Sequence, residues 1–109
     1  EVFSVEVVEE FAEAAKARFG VLGYDIAVRV GDGSRGWLEN APFDRILVTA
    51  AVEDVPAALV EQLEPGGRIV IPIGGKEVQQ LSVIEKSAAG DVQTREIMPV
   101  RFTELEVAV

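Results

Sequence analysis

Two carboxylates, Glu6 and Asp32, are placed by residue type and spacing to act on a bound molecule. Glu6 closes the apolar run Val2-Phe3-Ser4-Val5. Asp32 follows Ile26-Ala27-Val28-Arg29-Val30 and lies in the loop Gly31-Asp32-Gly33-Ser34-Arg35-Gly36. At the tip of a parallel strand a carboxylate can accept both hydroxyls of a diol, or the exocyclic amine of a base such as adenine. Each has a plainer reading that stays open: Glu6 suits a helix start, where negative charge is favourable against the macrodipole, and Asp32 suits an Asx turn. Thr49, Ala50 and Ala51 end the run Phe43-Asp44-Arg45-Ile46-Leu47-Val48. They either pack a strand end closely or let a substrate backbone approach. With no histidine and no cysteine, the chain has no thiolate nucleophile, no zinc site of the usual kind and no Ser-His or Cys-His pair. No Asp/Glu spacing argues for glycosidase chemistry or a metal cage, so neither a catalytic side chain nor a metal is expected.

Two glycine motifs are set aside. Gly31-x-Gly33-x-x-Gly36 satisfies the dinucleotide pattern and follows a strand, but its third glycine must open a helix that receives a pyrophosphate. Only residues 37–41 precede Pro42 and the next strand, so the glycines read as a sharp turn. Gly74-Gly75-Lys76 resembles the end of a phosphate loop, yet Glu77 stands where Ser or Thr is required and the upstream glycine is absent. Trp37 reads as a core or lid residue.

The elements that must position these residues read as a βαβ pattern. Val8, Phe11, Ala15, Phe19 and Leu22 recur at helical spacing between charged residues, and Gly20 and Gly23 mark the helix end. A strand over 43–49 leads into a helix predicted to start at Glu53-Asp54-Val55-Pro56, with Asp54 as cap and proline in the first turn, and to stop at Leu63-Glu64-Pro65-Gly66-Gly67. Arg68-Ile69-Val70-Ile71-Pro72-Ile73 is a second buried strand. Ligand sites of open α/β sheets lie at strand carboxyl ends, which places this one near residues 49–53 and Gly74. Downstream, Gln80 to Lys86 and Val92 to Ile97 flank Ser87-Ala88-Ala89-Gly90-Asp91, a hairpin signature. Val100-Arg101-Phe102 and residues 105–109 continue it or add an edge strand.

The 109 residues suit a single α/β domain over 1–109. Ten basic residues against nineteen acidic give a net charge of −9, a field that repels nucleic acid and anionic membranes. No apolar run approaches the roughly 20 residues of a membrane span and the first residues are not a secretory signal, so a cytoplasmic protein is expected.

Taken in order, Val5-Glu6, Val30-Gly31-Asp32-Gly33 with Gly36, Ala41-Pro42-Phe43-Asp44 with Val48-Thr49-Ala50-Ala51, Gln62-Leu63 with Pro65-Gly66-Gly67-Arg68, Pro72-Ile73-Gly74 and Val100-Arg101-Phe102 resemble the carboxyl-terminal half of protein-L-isoaspartate O-methyltransferases. The resemblance implies a Rossmann-like methyltransferase sheet lacking its first strand, with a C-terminal antiparallel hairpin. It further implies S-adenosylmethionine as cofactor and isoaspartyl peptides or proteins as substrates, esterified in protein repair. By the same resemblance Glu6 meets the ribose hydroxyls, Asp32 and Gly33 form the adenine loop, Thr49, Ala50 and Ala51 line the substrate side, and Val100 and Arg101 close over the isoaspartyl chain. Thr103-Glu104 departs from the apolar residue and proline expected there.

In that family the first strand and its glycine-rich loop come before the stretch this chain resembles. In the strand order 3-2-1-4-5-7-6 implied by the resemblance, the absent strand is central, so the strands over 2–5 and 45–49 each face an empty slot. The chain is therefore expected to be inactive alone, with the slot closed by the two strands sliding together, by self-association or by an amino-terminal half. The alternatives are a designed or excised half-Rossmann module that self-associates without catalysis, and a small nucleoside-binding domain using Glu6 and Asp32.

Overall fold

The computed structural model describes residues 1–107. Its strands β1 (Val2–Glu6), β2 (Ile26–Val30), β3 (Phe43–Leu47), β4 (Leu63–Gly74), β5 (Gln79–Lys86) and β6 (Val92–Val100) alternate early with the helices α1 (Glu9–Leu22) and α2 (Ala57–Glu61). The α/β reading holds, as does the antiparallel hairpin, formed by β5 and β6.

The strands form two sheets. β1 and β2 make a parallel pair, from Val2 opposite Ile26 to Glu6 opposite Val30, and the other four run in the order β3-β4-β5-β6. β3 pairs with β4 in parallel, and β4, β5 and β6 pair antiparallel. β1 and β3 do not slide together, and among the described residues no strand pairs with the second edge of either. The implied order 5-7-6, which would set β6 between β4 and β5, is corrected. β4 ends at Gly74 and β5 begins at Gln79, and so short a connection makes the two hairpin neighbours, leaving β6 at the edge.

Local chemistry explains the other departures. Glu9 and Glu10 occupy the first turn of α1, and Gly23, at φ 74°, ends it in the left-handed conformation, its neighbour Tyr24 donating to the Phe19 carbonyl at 2.9 Å. The inward face of α1 is centred on Ala12, which is fully buried, while Phe11 is 63% exposed. The small side chain, not the aromatic one, meets the sheet. Asp54 is not the cap of α2: Pro56 holds that position without a side-chain hydrogen bond, and the helix is only five residues long. The expected stop signal lies inside β4, because residues 64–67 bulge out between the pairs Phe43–Leu63 and Arg45–Arg68. Gly66, at φ 87°, makes that excursion possible.

Leu59, Leu63, Ile69, Ile71 and Ile84 form the core beneath the four-stranded sheet, with Ile46, Val48 and Ile73 packed against them. Aromatic rings meet between the two sheets. The Phe3 ring of β1 meets Phe43 of β3 edge-on at 5.9 Å and Trp37 at 5.4 Å, geometry that adds about 0.5–1.5 kcal/mol per pair beyond burial.

Parallel strands alternate the side to which each residue's backbone groups point. Glu6 and Val48 bond to β2 and β4 through Gly31 and Val70, so Phe3, Val5, Arg45 and Leu47 direct their amides to the unpaired edges. Amide exchange followed by NMR is expected to run about ten times faster or more at these four than at Ser4, Ile46 and Val48. Equal protection at both sets would mean that the edges are already covered.

Candidate functional site

The parallel strands bring their carboxyl ends to one rim. The Gly31 amide donates to the Glu6 carbonyl at 3.0 Å, so the loop carrying Asp32 leaves β2 beside the tip of β1. The Glu6 side chain is half-buried, with Oε1 3.2 Å from the Val8 amide nitrogen. That bond opens α1 and leaves Oε2 as the carboxylate's other acceptor edge. Both readings of Glu6 are thus compatible, one oxygen serving the helix start.

Asp32 is drawn into its own loop. It precedes a 3-10 turn, Gly33–Arg35, and its Oδ1 accepts from the Ser34 amide at 2.9 Å and the Ser34 hydroxyl at 2.6 Å. Arg35 Nε stands 3.7 Å from Oδ2, and the Asp32 side chain is only 8% exposed. The turn-forming reading is realised. Of the three glycines here, only Gly36, at φ 64°, is held in the left-handed region. No helix opens at it, in keeping with rejection of the pyrophosphate reading.

The remaining predicted residues gather on the same rim around the chain's last described segment. Beyond β3, Val52 donates to Pro72 at 3.1 Å and accepts from Gly74 at 2.8 Å, both on the β4 side. Ala51 faces the other way: its amide donates to Thr103 at 2.7 Å and its carbonyl accepts from Leu105 at 2.8 Å. Residues 103–105 therefore run parallel to this extension of β3 on its open side. Leu105 continues across, its Cδ1 3.9 Å from the point a Cβ on Gly33 would occupy. Thr49 is exposed, Ala50 half-buried and Ala51 buried, so close packing explains the last of the three. Val100 ends β6 opposite Gln79, and Arg101 is exposed beyond it. The tail thus joins the Glu6–Gly33 side to residues 49–51.

Sequence reasoning assigned no role to the two buried glutamines that fix this rim. Gln79, 1% exposed, accepts from the Phe102 amide and donates to the Gly75 carbonyl, both at 2.8 Å. It ties the tail to the β4–β5 turn. Gln62, 6% exposed, accepts from the Trp37 amide at 2.9 Å and donates to the Arg35 carbonyl at 2.8 Å. Arg29 adds a bond to the Gly36 carbonyl at 3.1 Å and lies 4.7 Å over the Trp37 ring. A polar residue beside an apolar run was the available signal. Among the described residues no group of three or more His, Cys, Asp or Glu could hold a metal ion, and no helix is long and apolar enough to cross a membrane.

Comparison with known proteins points one way. The family model described as Protein-L-isoaspartate(D-aspartate) O-methyltransferase (PCMT) matches residues 1–108. The chain is 52% identical over 106 residues to protein-L-isoaspartate O-methyltransferase 2 of Syntrophobacter fumaroxidans, covering 95% of this chain and 43% of that protein. It is 45% identical to the Hyperthermus butylicus enzyme of that name, covering 95% and 44%. A solved protein-L-isoaspartate O-methyltransferase superimposes with a TM-score of 0.86 at 32% identity, over 94% of this chain and 33% of that one. A Plasmodium falciparum protein described as such a methyltransferase, solved in complex with S-adenosyl-L-homocysteine, shares the fold with a TM-score of 0.80 at 22% identity, over 96% and 52%. The chain spans about half the length of the curated relatives it matches, or somewhat less.

The loop geometry separates its glycines. A Cβ on Gly36 would sit 2.8 Å from Gln62 Cδ with φ already positive, whereas on Gly33 its nearest neighbour is the Leu105 methyl. Gly36→Ala is expected to cost about 1–3 kcal/mol in urea unfolding, and Gly33→Ala within about 0.5 kcal/mol of none.

Proposed function

The chain belongs to the protein-L-isoaspartate(D-aspartate) O-methyltransferase family, and on that premise we propose that it carries the nucleoside and substrate-rim half of an S-adenosylmethionine-dependent methyltransferase acting on isoaspartyl carboxylates. The observation that carries this reading is the common rim. Glu6 and the Asp32–Gly33 loop stand on adjacent parallel strand tips, and the tail leads from them to residues 49–51.

The donor set suits a nucleoside. The half-buried Glu6 carboxylate spends one oxygen on Val8 and offers the other to a ribose diol, where a charge-assisted hydrogen bond is about twice as strong as a neutral one. Asp32 holds the turn that presents Gly33 and the loop backbone to the adenine edge. When bound, the sulfonium supplies a methyl group that an ionised carboxylate can attack. An isoaspartyl carboxylate is already ionised at neutral pH, so no residue has to remove a proton, in keeping with a rim that holds neither histidine nor cysteine. What this chain contributes is alignment. Thr49 and Ala50 border the space for the substrate, with Ala51 buried and bonded to the tail, and Val100 and Arg101 begin the strap across it.

The unpaired edges of β1 and β3 are where the rest of the family's length, or a second copy of the chain, would complete the sheet. A single strand running parallel to both satisfies the two edges at once, which favours the amino-terminal half. Turnover by the chain alone is not expected, whereas nucleoside binding is.

Calorimetry with S-adenosylhomocysteine tests the reading. The chain is expected to bind with a Kd no weaker than about 1 mM, some 4 kcal/mol. Glu6→Gln, which keeps an acceptor for Val8, should weaken binding about tenfold. Binding weaker than that limit, or unchanged in Glu6→Gln, would remove the case for a nucleoside site.

A further inference from the structure

We infer that Gln62 is a positioning residue for the nucleoside loop, its side-chain amide setting where residues 32–37 stand relative to the β3–β4 rim. The inference rests on the proposed nucleoside site and names a group that fixes its geometry without touching the ligand.

The loop belongs to the β1–β2 side of the molecule, while Gln62 stands at the end of α2, directly before β4. Its own carbonyl accepts from the Phe43 amide at 2.8 Å, so its backbone is fastened to the start of β3. The side chain then crosses to the loop and engages two backbone groups of opposite polarity, the Trp37 amide and the Arg35 carbonyl. A side-chain amide satisfies both at any pH, since it presents an acceptor and a donor on one planar group. Gly36 lies between the two bonded residues, and the absence of its Cβ lets the amide approach. The near end of the loop is set by Asp32 and Ser34 and the far end by Gln62 and Arg29. The Gln62 bonds are the polar tie between the loop and the sheet that carries residues 49–51.

Loss of the tie should be read first in the loop. The ligand-free full chain is compared with Gln62→Leu and Gln62→Glu by amide exchange at Arg35, Gly36 and Trp37, and by the fluorescence of Trp37, the single tryptophan. Affinity for S-adenosylhomocysteine is measured alongside. Gln62→Leu orphans both part-buried backbone groups and is expected to raise exchange at these amides, and to weaken nucleoside binding, about tenfold or more. Protection at Ile69, Ile71 and Ile84 should remain. In Gln62→Glu the ionised carboxylate still accepts from Trp37 but repels the Arg35 carbonyl. The protonated acid can donate to it, and burial favours that form. The Gln62→Glu defect, measured against the unsubstituted chain at each pH, should therefore shrink as pH falls from about 8 to about 5, a dependence that mere loss of packing does not produce. Should Gln62→Leu fail to fold, this pH series decides. Loop exchange and nucleoside affinity within twofold of the unsubstituted chain, or a Gln62→Glu defect independent of pH, would overturn the positioning role. Absence of nucleoside binding by the unsubstituted chain would overturn the site itself and the role resting on it.

Discussion

Backbone pairing is the constraint on which the rest of this structure depends. β1 and β3, each at the edge of its own sheet, bond on one side only, and a strand's peptide groups are obligatory hydrogen-bonding groups wherever water is excluded. The molecule divides accordingly. One part has a real core under four strands, and the other is a parallel pair covered by a single helix. Aromatic rings at one end and the tail at the other hold the two together. Because Phe3 meets Phe43 at the start of β1 and β3 and the tail links Ala51 to Gly33 beyond their ends, the carboxyl ends of both parallel pairs face one rim, and a ligand site needs that convergence more than it needs a continuous sheet.

The rim is assembled from polar ties of unequal reach. Asp32 acts within its own turn. Gln79 and Gln62 act across distances in sequence of more than twenty residues, one fastening the tail and the other the loop over residues 32–37. Each is almost wholly buried and has both halves of its amide occupied. Removing either would leave part-buried backbone groups unpaired, the costly side of hydrogen-bond energetics. Leu105 adds an apolar link, reaching Gly33 from a segment whose backbone is bonded to Ala51.

Legibility in the sequence followed the range of the interactions. The αL glycine after α1, the hairpin around Ser87 to Asp91 and the buried run of β4 were all readable, because each is decided by neighbours a few residues apart. Asp54 misled because its type and place suit a cap, yet Pro56 holds the cap position and α2 begins only at Ala57. Phe11 misled because helical period does not say which stripe meets the sheet, and Ala12 allows the closer approach. The glutamine ties were illegible for the opposite reason: their partners are far along the chain, so their residue type carried no local meaning. For Glu6 and Asp32 the sequence left two readings each, and the structure realises the local one without displacing the other at Glu6.

The central claim is that the unpaired edges of β1 and β3 flank a single place for one further strand, and that filling it completes a methyltransferase. The most direct measurement is a titration of the chain with the separately produced amino-terminal half of a family member, following methyl ester formation on an isoaspartyl peptide supplied with S-adenosylmethionine. The account predicts no ester from either half alone and a rate that saturates at one amino-terminal half per chain. Robust turnover by the chain alone, unchanged by the added half, would contradict it.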